Sequence, residues 1–258
     1  MKKPTMVSLF TGCGGLDLGL EQAGFETVFA NEIEPYACES LRANRILRAL
    51  PPEKFDEWFD EQILRQRCYK GVLPVEHVRL RRRLLSAFKE GIYYLNNAYI
   101  SERDIRSLSA SDVLEKTGAK RGEIDLVAGG PPCQPFSRAG KRELVESDTG
   151  QLFLDFVRII KGVQPRWFLF ENVKGLVLHK ADVASRKCAK CHYAEIVPFS
   201  DRDGLKAEVE VTILCHNCGI IGDHEVIWDK RRAGSLDIIR SEFERCGYKC
   251  SARILDAC

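Results

Sequence analysis

A cysteine held between prolines is the first place in this chain where the residue types suggest chemistry. Residues 129–142 read G-G-P-P-C-Q-P-F-S-R-A-G-K-R. Pro131 and Pro132 restrict the backbone ahead of Cys133. Gly129 and Gly130 leave room beside it. Such a frame suits a thiol that must meet a reactant at a set angle. A free thiol has a pKa of about 8.5, so a nucleophilic cysteine needs help to become thiolate. The candidate helper is remote in sequence. F-E-N-V at 170–173 puts Glu171 at the end of an apolar strand. Partial desolvation there raises a carboxyl pKa and lets the group act as an acid toward a bound ring. The plain alternative is a loop cysteine and a strand-end cap.

Two other groupings carry chemistry. F-T-G-C-G-G at 10–15 follows a short apolar run. Its glycines permit positive φ and close approach of a ligand, and the following helix presents free N–H groups. Glu32 ends the next strand, where a carboxylate can accept both hydroxyls of a ribose. Its plain alternative is to cap the helix that opens at Pro35. Asp104, after a later turn, either takes an exocyclic purine amino group or faces solvent. The third grouping is C-A-K-C at 188–191 with C-H-N-C at 215–218. Paired C-x-x-C knuckles predict a four-thiolate zinc site of Cys188, Cys191, Cys215 and Cys218. All four positions are filled by sulfur, so the site reads as structural.

The elements that must position these groups alternate strand and helix. Residues 5–10 predict a strand, followed by the glycine turn and by a helix through Leu16, Leu18, Leu20 and Ala23 that Gly24 closes. Residues 25–30 predict a second strand, and Pro35 opens a helix that runs to about Leu50. Strand, glycine turn, helix, strand, carboxylate is the layout of a nucleotide-type half-sheet. Residues 45–100 are charged and helical in pattern, so 45–103 is expected to be a helical insertion. Strands at 124–128 and 166–170 flank a polar loop to Gly150 and a helix at 151–162. Alternation at 208–214 predicts a strand leading into the second knuckle. A helix at 236–246 stops at Gly247, and 248–257 predicts a last strand. The expected fold is α/β and Rossmann-like, with helices on both faces of the sheet, a helical insertion at 45–103 and a zinc-knuckle insertion at 187–222.

With 258 residues, 45% of them hydrophobic, the chain has enough apolar content for one large α/β domain or two small ones. A net charge of +2 sets up no global field toward a polyanion. Arg79, Arg81, Arg82 and Arg83 form a local basic cluster, which reads more simply as a solvated helix face than as a nucleic-acid contact. The 11 cysteines are odd in number and read as thiols, metal ligands or nucleophiles in a reducing compartment. No run approaches the ~18 apolar residues of a membrane span. The apolar run at 6–10 is too short for a signal-peptide core, so a cytoplasmic location is expected.

Taken together, these motifs resemble the DNA cytosine-5 methyltransferase family. The resemblance rests on F-x-G-x-G-G at 10–15, N-E-I-E at 31–34, D-I at 104–105, G-G-P-P-C-Q-P-F-S at 129–137 and F-E-N-V-K at 170–174, in that order. It covers roughly residues 5–44, 104–178 and 234–257. It implies a sheet of the S-adenosylmethionine-dependent type, with Phe10, Gly12, Gly15, Glu32, Ile33, Asp104, Ile105, Gly130 and Leu152 around the cofactor. It implies Cys133 as nucleophile and Glu171 as its partner on a cytosine flipped out of double-stranded DNA. Pro132, Gln134, Ser137, Arg138 and Val173 are then expected on the base and DNA side. The loop at 134–150, with Arg138, Lys141 and Arg142, suits a lid over backbone phosphates. The zinc insertion follows E-N-V and is expected near the DNA.

The family's Q-x-R-x-R motif, target-recognition domain and closing segment are not found in the sequence. A second polypeptide that supplies them, or a truncated product, is therefore expected, together with a role in restriction and modification. Two readings stay open beside this one: an RNA cytosine-5 methyltransferase on the same core, and a non-catalytic regulatory subunit. A dinucleotide oxidoreductase would account for the glycine turn but for neither P-P-C-Q nor E-N-V.

Overall fold

The computed structural model describes residues 2–65, 78–79, 81–86, 94–132, 152–178, 180–197, 210–232 and 234–255. The chain divides into two compact units: Met1–Gly130 with Gly162–Phe170, and Pro131–Lys161 with Glu171–Cys258.

The first unit is built on a five-stranded sheet in the order β3-β2-β1-β4-β5. Its strands are β1 (Thr5–Leu9), β2 (Glu26–Glu32), β3 (Tyr99–Glu102), β4 (Leu126–Gly129) and β5 (Trp167–Phe170). Every pairing is parallel. The central strands are buried on both faces, which is why β1 and β4 read as continuous apolar runs. Helix α1 (Gly15–Gln22) covers one face by packing Leu16 and Leu20 on Met6, Leu126 and Ala128. Helix α2 (Pro35–Ala49) covers the same face further along, where Leu41 packs with Ala30, Leu95 and Ala98. Pro35 starts α2 at a position where its missing N–H costs nothing. Helix α3 (Phe55–Arg65) follows a short 3₁₀ turn, and α4 (Ala110–Thr117) leads to β4. A capping box of Ser109 and Asp112 opens α4, and Gly118, at φ +67°, closes it.

Two expectations change here. The stretch read as helical up to Ile100 ends in β3, which pairs with β2 from Phe29↔Tyr99 to Glu32↔Glu102. Strand β5 pairs only with β4 among the described residues. On that edge Trp167 is 71% exposed and Leu169 38% exposed. The expected strand at 248–257 is not formed: described residues up to Leu255 are irregular and largely exposed.

The second unit holds the N-terminal part of α5 (Leu152–Val163) and the short α6 (Gly175–Leu178). It also holds a four-stranded antiparallel sheet in the order β7-β6-β9-β8. Its strands are β6 (Lys180–Cys188), β7 (Ala194–Ile196), β8 (Glu210–Leu214) and β9 (Ile221–Arg232). Helix α7 (Gly234–Arg245) packs on this sheet through Ile238 against Val183 and Ile196. Phe156 of α5 meets Phe243 of α7 edge to face at 6.1 Å. Gly247, at φ +92°, ends α7 as expected. The two knuckles, expected within an insertion at 187–222, are flanked by β6 and β9, strands of 9 and 12 residues that reach beyond those bounds.

Candidate active site and metal centre

The residues singled out from the sequence of the first unit gather at one end of its sheet. Phe10 follows β1, Glu32 ends β2, Asp104 follows β3 and Gly130 follows β4. The carboxyl ends of parallel strands, near the point where strand order reverses, are where open α/β sheets bind ligands. Here the reversal lies between β1 and β4.

The glycine loop is held from several sides. Phe10, Gly12 and Gly14 all have positive φ, at 55°, 57° and 82°. Thr11 N donates to Asn31 O at 3.1 Å, and Gly14 N to Thr11 O at 3.0 Å. Glu32 fixes the loop to the end of β2: its Oε2 accepts from Gly12 N at 2.7 Å. Its Oε1 accepts from Ile33 N at 2.8 Å and Glu34 N at 2.9 Å. Among the described residues a Cβ added at Gly12 or Gly15 would meet nothing within 4 Å, so the loop is open at those two positions. A ligand can approach the backbone there. Ile33 stands 58% exposed on the same rim.

Asn31 ties in the third strand. Its Nδ2 donates to Ser101 O at 3.2 Å and Arg103 O at 2.9 Å. Asp104 therefore sits beside Glu32, but it is not idle. Its Oδ1 accepts from Arg106 N at 2.9 Å, and Arg106 pairs with it through the guanidinium. These bonds hold the Asp104 carboxyl below the usual range. An amino group from a ligand must share it with Arg106. The Ile105 side chain is buried, and its carbonyl accepts from Leu108 N at 3.1 Å.

Beneath the loop, Asp17 of α1 is fully buried. Among the described residues neither of its oxygens has a hydrogen-bond partner. Burial pushes its carboxyl up to about 6, against a smaller pull from the nearby Ser8 hydroxyl. Asp17 and Tyr94, described below, escaped the sequence reading. An aspartate in the first turn of an amphipathic helix gives no signal of burial, and Tyr94 follows a charged segment of helical pattern.

In the second unit the P-P-C-Q and F-E-N-V motifs are joined. Asn172 of F-E-N-V donates through Nδ2 to Pro131 O of P-P-C-Q at 3.1 Å. Its Oδ1 accepts from Val173 N at 2.8 Å, which fixes the amide plane. Glu171 and Val173 are exposed, as is Pro132. Among the described residues Glu171 is exposed just after β5, where partial burial was expected. Leu152 opens α5, half-buried. Cys133, Gln134, Ser137 and Arg138, with the loop at 134–150, lie outside the described residues.

The four knuckle cysteines come together, with ligand atoms all within 4.8 Å of one another. Tetrahedral thiolates at ~2.3 Å from zinc stand roughly 3.8 Å apart, and Cys191 Sγ to Cys215 Sγ measures 3.6 Å. The two knuckles share one backbone plan. Cys188 N donates to Tyr193 O and His192 N to Cys188 O, each at 2.9 Å. Cys215 N donates to Ile220 O and Gly219 N to Cys215 O, again at 2.9 Å. The residue after each C-x-x-C is left-handed, His192 at φ 58° and Gly219 at 71°. The Tyr193 backbone N–H and the Asn217 amide pull the Cys191 thiol down to about 6. Although Ile220 N–H stabilises its thiolate, Cys218 is pushed up to about 11 by desolvation and the neighbouring sulfurs. Four sulfurs this close ionise together only around a cation.

The C-5 cytosine-specific DNA methylase family model matches residues 4–58 and 87–191, which span the glycine loop and the P-P-C-Q and F-E-N-V motifs. The chain belongs to this family. Among curated relatives, Type II methyltransferase M.AquIA of Picosynechococcus sp. is 31% identical over 172 residues, 67% of this chain and 49% of that protein. M.NgoPII of Neisseria gonorrhoeae is 32% identical over 72% of this chain and 38% of its own length. M1.HphI of Haemophilus parahaemolyticus is 30% identical over 80% and 40%. The chain thus spans half or less of the length of each of these relatives. An E. coli prophage protein of solved structure, described as a DNA modification methyltransferase, aligns over 67% of this chain and 33% of its own at 24% identity and a TM-score of 0.40. Among the described residues no helix is long and apolar enough to cross a membrane.

Proposed function

We propose that this chain carries the cofactor-binding and catalytic part of a DNA (cytosine-5-)-methyltransferase. The observation that carries the reading is the Asn172–Pro131 hydrogen bond, which links P-P-C-Q to E-N-V within a chain of this family. The open space at Gly12 and Gly15, beside the Glu32 carboxylate, fits S-adenosylmethionine. Phe10, Gly12 and Gly15 would line it, Glu32 would take the ribose, and Ile33, Asp104 and Ile105 would meet the adenine. Gly130 and Leu152 would stand near the methionine. When bound, this cofactor supplies an electrophilic methyl carbon.

Cytosine C5 is a poor nucleophile within an aromatic ring. In this reading the Cys133 thiolate adds to C6 and breaks the aromaticity. Glu171 hydrogen-bonds N3 and the amino group, drawing the displaced charge into the ring. C5 becomes enamine-like and takes the methyl group. Loss of the C5 proton and expulsion of Cys133 restore the aromatic ring. C5 and C6 are hidden in stacked DNA, so the base must be flipped out, leaving Pro132, Gln134, Ser137, Arg138 and Val173 to meet base and backbone. The test is covalent trapping on duplex DNA containing 5-fluorocytosine, with labelled S-adenosylmethionine. A Cys133-dependent adduct is expected. Labelling of RNA in preference to DNA, or cofactor binding without an adduct, would turn the reading toward an RNA enzyme or a regulatory subunit.

The exposed apolar side chains along β5 suggest a second proposal. A further polypeptide, carrying the target-recognition part, adds strands to this edge. Co-expression with a candidate partner should yield a stable complex and raise methyl transfer. Normal rates from the chain alone, as a monodisperse monomer, would remove the idea. Zinc held by Cys188, Cys191, Cys215 and Cys218 is the matching proposal for the second unit, as a structural ion.

A further inference from the structure

We propose that Tyr94 is a positioning residue for the cofactor, a pin that holds the glycine loop in its ligand-ready shape; this rests on the cofactor reading above. Residues 10–14 include three positive-φ positions, two of them glycine, so the loop has little conformational preference of its own. Its inner side is closed at Gly14 by Tyr94, with Leu41 Cδ2 behind it at 3.1 Å from the place of a Cβ. Tyr94 Oη donates to Cys13 O at 2.6 Å. Its ring fills the place a side chain would take at Gly14, where a Cβ would lie 2.2 Å from Tyr94 Cε2. The loop is therefore blocked at Gly14 and open at Gly12 and Gly15. Tyr94 decides which side faces a ligand.

The pin itself is anchored to three elements. The Tyr94 carbonyl accepts from Asn44 Nδ2 of α2. Leu95 N donates to Glu21 Oε1 of α1 at 3.0 Å, and the same oxygen accepts from Thr27 N of β2 at 3.3 Å. Asn97 Nδ2 reaches Glu26 Oε1 at 2.9 Å. Leu95 is left-handed, at φ 57°, yet fully buried among Ala30, Leu41 and Ala98. A leucine keeps that backbone only where its surroundings over-determine it. A turn held this firmly can transmit position to the loop it touches. Residue 94 lies within the stretch 87–191 that the family model matches, shortly before β3.

The experiment compares wild type with Tyr94→Phe, which keeps the ring and removes the hydroxyl, in the full chain. Calorimetric titration with S-adenosylmethionine and with S-adenosylhomocysteine reads affinity, and ligand-free melting reads stability. The expected result is a roughly fivefold loss of affinity for both, the worth of about one net hydrogen bond, with the melting temperature nearly unchanged. In methylation assays the KM for the cofactor should rise and kcat stay put. Tyr94→Ala, which also opens the space at Gly14, should cost more affinity than Tyr94→Phe. A Tyr94→Phe protein that binds both ligands like wild type overturns the proposal and leaves the cofactor reading standing. If wild type itself binds neither ligand, the cofactor reading falls and takes this one with it.

Discussion

The two units reach order by different means. The first rests on a parallel sheet whose central strands are buried on both faces, with Met6, Leu9, Phe29 and Val127 fully buried. Its loops are then trimmed by single polar contacts, such as Glu32 on Gly12. The antiparallel ribbon of the second unit has a smaller apolar centre around Val183, Ile196 and Ile238, and four sulfurs at its tip. Apolar area can hold the first unit without a ligand, whereas the ribbon tip clusters thiols that repel one another once ionised. The contrast teaches that one chain can rest one unit on hydrophobic burial and end the other in a ribbon tip of four clustered thiols.

Metal removal should separate the units most sharply. Structural zinc is worth roughly 10 kcal/mol or more in small sites. Chelation, or Cys188→Ser with Cys215→Ser, should abolish amide-exchange protection across β6 to β9 and leave β1 to β4 protected. Native protein with less than one zinc per chain by elemental analysis would remove the metal from this account. Next in size is Glu171→Gln. Methyl transfer should fall by about 10²- to 10³-fold, while the Kd for S-adenosylmethionine stays that of wild type. Equal losses in both would mean that chemistry and cofactor binding are not divided as proposed.

A smaller effect is expected at Asp17. Its carboxyl is pushed up to about 6 from a normal 3.8, so between those values the folded chain holds a proton that the unfolded chain has released. The stability this contributes is present below about pH 4 and lost as pH rises through about 6. Asp17→Asn cannot titrate, so its stability relative to wild type should improve from pH 4.5 to 7.5, by at most about 3 kcal/mol. Parallel stability–pH curves would show that the group is not buried as described. The smallest effect belongs to Trp167→Lys on the β5 edge. It should move stability by less than about 0.5 kcal/mol while reducing self-association in sedimentation. A large drop in melting temperature would mean that the edge is packed.

Much of the first unit is written locally, which is why it could be read. Glycine turns, strand-end carboxylates and Gly118 or Gly247 after a helix act within a few residues of themselves. The pairing of Asn172 with Pro131 could not be read, because it joins positions 41 residues apart. Strand β3 is four residues long and follows a charged segment, so helical pattern overran it. Strand β6 defeats alternation for a different reason. Val183, Ala184 and Ser185 are buried in succession, so both faces of β6 are covered and no period of two survives. Residues 248–255 show the opposite failure. They have strand composition, but a strand also needs a partner to bond to, and among the described residues they pair with no strand.

The chain contains three tryptophans, and they fall one to a region: Trp58 on α3, Trp167 on β5 and Trp228 on β9. Their settings differ, from an indole N–H shut away from water at Trp58 to a ring 71% exposed at Trp167 and 38% exposed at Trp228. In spectroscopic terms the protein carries its own set of local dyes. Three single-tryptophan variants would let emission wavelength and iodide quenching follow the insertion, the sheet edge and the ribbon separately through melting, metal loss and cofactor titration.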